Sequence, residues 1–307
     1  MTMKSVLIRA YGSNEQVELA DVARPVPNAN EVLIRVQAAG VNPIDWKIRD
    51  GAGQRMGKTL PIQLGSEVVG TIEALGAGVD RFREGEAVYA MVSSGGFAQY
   101  AIAQANHLAR IPNNLDIVHA AALPLAGTTA WQALFDEAGL SAGQRLLITN
   151  SSGGVGSLAL QLAKVHGAHV TAVASGRNEA FVRGLGADAF IDYTREPFEE
   201  AVGDIDVVLD TMGGETFQRA FKCLRKGGVM VTVVAFPQDE AERFGVTVKR
   251  SATLPSAASL AQITTLVEAA KVVPHVESVF PLAEVRQALA LSEAGRTRGK
   301  IVLTVSH

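Results

Sequence analysis

The sequence predicts an α/β protein: a doubly wound parallel sheet in the middle of the chain, with a β-rich part ahead of it. Three observations carry this. Up to about residue 120, short apolar runs are separated by Pro, Gly, Asn and Asp, with no helical spacing between them. From there to about residue 236, apolar strands alternate with helices. Beyond that, two amphipathic helices and one lone apolar run close the chain.

The elements follow in order. "KSVLIRAYG", "VELADVARP", "EVLIRVQAAGV", "EVVGTIEALG" and "EAVYAMV" read as strands of a barrel-like or sandwich unit. "IVHAAALPLAGTTAWQALFDEAGL" has helical spacing, expected to be interrupted by Pro124 and Gly127. Then "RLLITN" leads to the helix "VGSLALQLAKVHG", "HVTAVAS" to "NEAFVRGLG", "AFIDY" to "REPFEEAVG", and "DVVLDTM" to "ETFQRAFKCLRKGG", with "VMVTVVAF" last. Continuous apolar strands in this rhythm belong to a parallel sheet covered on both faces. "SLAQITTLVEAAKV" and "PLAEVRQALALSEAG" are helices, and "GKIVLTV" is a final strand expected to return to the first part. A chain of 307 residues suits two domains.

Composition excludes several function classes. The net charge is -3 and the basic residues form no stripe, so nucleic acid is not an expected partner. No apolar run reaches membrane-spanning length, and "MTMKSVLIRAYG" turns polar too soon for a signal peptide. A cytoplasmic location is therefore expected. Cys223 is the only cysteine, which rules out an internal disulfide and any site with two thiolate ligands. His166 and His169 flank a helix-ending Gly, a poor place for two rings to converge on a metal. No protein-held metal is expected.

The chemistry points to "TNSSGGVGS", residues 149–157, at the first strand-to-helix crossing. A helix N-terminus carries unpaired N–H groups and partial positive charge. Glycine there lets an anion approach the backbone, and the last glycine lets helix and strand pack closely. Ser152, Gly153, Gly154, Val155 and Gly156 are expected to hold the pyrophosphate of a dinucleotide. A glycine-rich turn alone can serve geometry only; its position in the pattern favours the binding role. Asn150 stands three positions before the first of these glycines, and Asn tolerates positive φ better than most residues.

An NAD site usually has Asp or Glu at the end of the next strand. Here that strand ends "VTAVASGRN", with no carboxylate before Glu179. Ser175, Arg177 and Asn178 offer a hydroxyl, a cation and an amide instead. Arg suits a phosphate, so NADP(H) is the expected cofactor. The bland alternative is a surface turn.

The series "GVNPIDWKIR", "LGSEVVGTIEALG", "GGFAQY", "ALPLAGTTAWQAL", "SSGGVGSLALQLAK", "LGADAFIDY", "RKGGVMV" and "RGKIVL" resembles the zinc-independent quinone oxidoreductases (zeta-crystallin-like) of the medium-chain dehydrogenase/reductase superfamily, over nearly the whole length. The resemblance implies a Rossmann dinucleotide-binding domain, 122–256, inserted in a split GroES-like catalytic domain, 1–121 plus 257–307. Zinc-dependent relatives place Cys and His in the first two segments, where this chain has Asn42, Asp45, Ser66 and Glu67. The implied activity is metal-free hydride transfer from NADPH to a quinone or an α,β-unsaturated carbonyl.

The resemblance also implies site residues. Asn42 and Asp45 would face the nicotinamide, the Asn42 amide donating to a developing oxyanion. Trp46 stands where relatives often have Tyr, and could stack on a flat substrate. Thr129 matches a threonine beside the nicotinamide. Tyr193 lies where relatives contact the phosphates or adenosine, Phe236 follows a parallel strand near the nicotinamide, and Arg298 and Lys300 could reach the cofactor from the tail. Most have a structural alternative: Asn42 before Pro43 fits a turn, Asp45 can cap the helix in "DWKIR", Trp46 can be core, Thr129 can pack in its helix, and the tail charges can be solvated. A nucleotide-binding protein with a sensory or structural role, and an enoyl-thioester reductase, remain open. "FGVTVKRSATL" could pair with a second copy to give a homodimer.

Overall fold

The computed structural model describes residues 1–307, which form two compact units: Met1–Leu125 with Pro255–Glu268 and Pro274–His307, and Ala126–Leu254 with Ala269–Val273.

The first unit is built on strand Glu31–Val41, whose β-branched residues Val32, Ile34 and Val36 are fully buried. It pairs antiparallel with three strands: Glu67–Leu75, Tyr100–Gln104 and Lys300–Thr304. The sheet extends through Ala87–Met91 to Leu108–Arg110 on one side, and through Lys300–Thr304 to Val276–Pro281 on the other. Strands Val17–Ala23, Thr2–Ile8 and Ile62–Gln63 form a second, three-stranded sheet. Val285, Ala288 and Leu289, spaced for one helical face, pack the helix Val285–Glu293 onto this core. The closing strand thus pairs as expected, Ile301 opposite Val41 and Thr304 opposite Ala38.

The second unit holds six parallel strands in the spatial order Ala189–Asp192, His169–Ala174, Arg145–Ile148, Ile205–Asp210, Leu224–Thr232, Thr247–Arg250. Leu146, Leu147 and Ile148 are all buried, as required of a strand covered on both faces. Cys223 is buried in the helix-side core, and burial pushes its thiol up to about 12, so it stays protonated.

Two expectations change. Gly127 does not interrupt its segment: Pro124 opens a helix through Trp131, and Gly127 lies inside it. The helix expected through "ETFQRAFKCLRKGG" ends at Ala220, and strand Leu224–Thr232 already includes Lys226 to Gly228. Leu224 pairs with Ile205, and Gly227 takes a φ of 70° that only glycine adopts readily. No helix is long and apolar enough to cross a membrane.

Candidate active site

In the second unit, strand Arg145–Ile148 gives way to a tight turn into helix Gly154–Val165. Asn150 occupies the left-handed region, φ 52°, which a short polar side chain tolerates. Ser151 stitches the crossing together: its Oγ donates to Ile148 O at 2.8 Å and accepts from Val173 N at 3.0 Å. Gly153 is the extended N-cap, and no side chain caps the helix. The leading N–H groups of Gly154, Val155 and Gly156 are therefore presented to whatever anion binds there. A Cβ at Gly156 would overlap the Asn150 carbonyl and lie 2.9 Å from Ser151 Cα. Glycine is required for this close approach, and the bare cradle fits a dinucleotide pyrophosphate.

The next turn locks onto the first. Asn178 Nδ2 donates to Ser152 Oγ at 3.0 Å and to Ser175 Oγ at 3.2 Å. Ser152, Ser175, Asn178 and the glycines thus converge, and Arg177 is exposed on the same turn. Tyr193 is 56 % exposed just beyond strand Ala189–Asp192, and its N–H donates to Ala174 O at 3.3 Å. Sequence reasoning missed Asp192. It pairs in register with Ala174, and its carboxylate lies against Gly176 so closely that a Cβ there would strike Oδ2. Hydrogen bonds from the Thr194 hydroxyl and from the Thr194 and Gly176 N–H groups hold its carboxyl below the usual range.

Asp210, also missed, ties three strand ends together. Its buried carboxylate accepts from Thr149 Oγ1 (3.2 Å), Thr232 Oγ1 (2.8 Å), Met212 N (3.1 Å) and Gly213 N (3.1 Å). The signal was a carboxylate closing the apolar run "VVLD". Phe236 is 72 % exposed on the loop after strand Leu224–Thr232, with the Arg250 guanidinium 4.2 Å over its ring. Thr129 is buried, and its Oγ1 lies 2.7 Å from Thr253 Oγ1, so the hydroxyl is engaged within its own unit.

In the first unit the segments 41–50 and 64–76 meet in a buried cluster. Lys300 Nζ donates to Asn42 Oδ1 and, at 2.7 Å, to Glu67 Oε1. Asn42 Nδ2 also donates to Glu67 Oε1 at 2.7 Å, and Leu125 N to Glu67 Oε2 at 2.6 Å. A Cβ at Gly40 would run into the Glu67 carboxylate. Beside this, Asp45 accepts from Asn42 N at 2.8 Å and from Ser66 Oγ at 3.1 Å. Burial pushes the Asp45 carboxyl up to about 7, although the Asn42 N–H, Lys300 and Ser66 draw it down.

These contacts revise the roles expected from the resemblance. The Asn42 amide is spent on Glu67 and Lys300 rather than offered to an oxyanion, because two buried charges need it more. Asp45 is fully buried and caps the short helix Pro43–Lys47. Trp46 packs against the hydrophobic core, its Nε1 making no hydrogen bond. Lys300 is core, not solvated surface. Arg298 belongs to this unit, where its N–H donates to Glu277 Oε2 at 2.9 Å.

Residues 28–113 match the alcohol dehydrogenase GroES-like domain family, and residues 185–303 the zinc-binding dehydrogenase family. The chain is 33% identical to the mitochondrial NAD(P)H oxidoreductase RTN4IP1 of Danio rerio, over 99% of its own length and 91% of that protein. It is 35% identical to the chloroplastic NADPH-dependent alkenal/one oxidoreductase of Arabidopsis thaliana, over 98% of this chain and 79% of that one. The chain belongs to the medium-chain dehydrogenase/reductase superfamily, among the zinc-independent quinone oxidoreductases. The solved quinone oxidoreductase of Coxiella burnetii superposes with a TM-score of 0.92 at 32% identity, covering 100% of both chains. This is an oxidoreductase with a nicotinamide cofactor, folded as a GroES-like unit and a Rossmann-like unit. The cytoplasmic location expected from the sequence is corrected: these two curated relatives are named as mitochondrial and chloroplastic.

Proposed function

We propose that the chain is an NADPH-preferring reductase of quinones or α,β-unsaturated carbonyls, working without a protein-bound metal. The observation that carries this is the uncapped, Cβ-free helix start at Gly153–Gly156, bonded through Ser152 and Asn178 to the Ser175–Arg177 turn. Ser175 and Arg177 suit a 2′-phosphate on the adenosine ribose, and Tyr193 and Phe236 offer exposed rings just beyond the C-terminal ends of two other strands of the same sheet.

The cofactor supplies the hydride; the chain binds, orients and sets the local charge. Gly154, Val155 and Gly156 hold the diphosphate by backbone N–H groups, and Asn178 fixes the angle between the two turns. In the first unit the donor set poorly fits a metal: Asn42 Oδ1 and Glu67 Oε1 are already bonded to the Lys300 ammonium. Reduction of an acceptor that is already electrophilic suits a site without a Lewis acid. The Arabidopsis thaliana and Coxiella burnetii relatives, by their names, point to the same two acceptor classes.

The test follows NADPH consumption with a quinone panel and an enone panel, for the wild type and Arg177→Ala. Turnover with at least one panel, and a KM for NADPH raised about tenfold in the variant, are expected. Tight NADPH binding without turnover on either panel overturns the reductase reading.

The outer edge of strand Thr247–Arg250, last in its sheet, supports a homodimer formed by pairing two copies there. Light scattering that gives a monomer at working concentration refutes it.

A further inference from the structure

The ribose-binding carboxylate that strand His169–Ala174 lacks is present in space, delivered by its neighbour. Asp192 ends strand Ala189–Asp192 opposite Ala174, one residue before Ser175. Its side chain turns toward the Ser175–Asn178 turn rather than away. Oδ2 lies within clashing distance of where a Cβ of Gly176 would be, between the two residues expected to meet the 2′-phosphate. The carboxylate is fixed there: Oδ1 accepts from Thr194 N at 3.0 Å and from Thr194 Oγ1 at 2.7 Å, and the Gly176 N–H also bonds to it. A carboxylate accepts from ribose hydroxyls and repels a phosphate, so two opposed selectors face the same part of a dinucleotide, Arg177 for the phosphate and Asp192 against it.

We propose that Asp192 is a specificity-determining residue that holds down the preference for the 2′-phosphorylated cofactor, so that the chain accepts NADH alongside NADPH. This rests on the dinucleotide-binding reading above. Sequence inspection of the strand before the turn could not find it, because the acid comes from the next strand over. Gly176 has a second role in this arrangement. It is the residue that lets the acid approach the turn, since any side chain there would push Asp192 aside.

The test measures binding, apart from turnover. The adenosine fragments 5′-ADP and 2′,5′-ADP are titrated by calorimetry into the wild type, Asp192→Asn and Asp192→Ser, with circular dichroism to verify folding. Both variants should bind 2′,5′-ADP more tightly and 5′-ADP more weakly. The affinity ratio should move toward the phosphorylated fragment on the order of tenfold, as expected from removing one charge at a half-solvated phosphate site. Cofactor kinetics should follow, with the NADPH-to-NADH ratio of kcat/KM rising in the same sense. Equal weakening of both fragments would mean that Asp192 only builds the turn, and an unchanged ratio would likewise overturn the proposal. A wild type that binds neither fragment would defeat the dinucleotide reading itself, a result distinct from an unchanged ratio.

Discussion

Asp45→Asn should gain in stability over the wild type as the pH rises. The folded carboxyl titrates near 7 because it is buried, against an ordinary 3.8. A raised value means that the folded state holds the proton more tightly than the unfolded one. The resulting stability is present below about pH 4 and is lost as the pH rises through about 7. The gap of about three pH units, at about 1.4 kcal/mol each, corresponds to about 4 kcal/mol, of which about 3 kcal/mol falls between about pH 4.5 and about pH 8.5. Asparagine copies the neutral acid: its oxygen can accept from Asn42 N, and its amide can donate to Ser66 Oγ. Wild type and variant should therefore be of similar stability in acid, with the variant ahead by about 3 kcal/mol in mild alkali. The assay is urea unfolding in a Trp131→Phe background, where Trp46 alone reports the first unit. A pH-dependent difference below about 1 kcal/mol would refute the reasoning, and would mean that Lys300 keeps the carboxylate charged.

Other perturbations have defined outcomes. Lys300→Met should strand the buried Glu67 carboxylate and cost about 3–5 kcal/mol by urea unfolding, with Glu67→Gln in the same chain restoring part of it. Asp210→Asn should cost about 2–3 kcal/mol, because an amide N–H₂ replaces an acceptor that serves four donors; the same unfolding measurement tests it. Gly156→Ala should push the helix off the Asn150 carbonyl, lower stability by about 1–3 kcal/mol and weaken 5′-ADP binding, read by thermal shift and calorimetry.

What was legible in the sequence was local. The crossing at residues 149–157 carries its own signature in glycine spacing, and Asn150 was readable as a residue able to hold positive φ. The strand–helix rhythm fixed the parallel sheet, because each period lies within about thirty residues. What was not legible depends on partners far apart in the chain. Lys300 and Glu67 are 233 positions apart, and neither segment alone says whether its charge is buried. Asp192 and Asp210 sit in runs readable only as strand ends; their roles depend on which strand lies beside which. The resemblance placed Asn42 and Asp45 in the right neighbourhood, but hydrogen-bond competition inside a buried cluster decides what they hold.

The late position of Lys300 affects how the protein is made. Residues 126–254, most of the nucleotide unit, form one unbroken stretch of chain and leave the ribosome together. The other unit begins earlier and closes later: Asn42 and Glu67 are synthesised long before the ammonium that neutralises them, and strand Glu31–Val41 waits for Lys300–Thr304 to cover one edge. The inserted unit can thus fold first, while the other unit stays open until strand Lys300–Thr304 has been made. A product stalled or cut before Lys300 would expose an unpaired strand and leave the Glu67 carboxylate without its ammonium, a ready mark for chaperones and proteases.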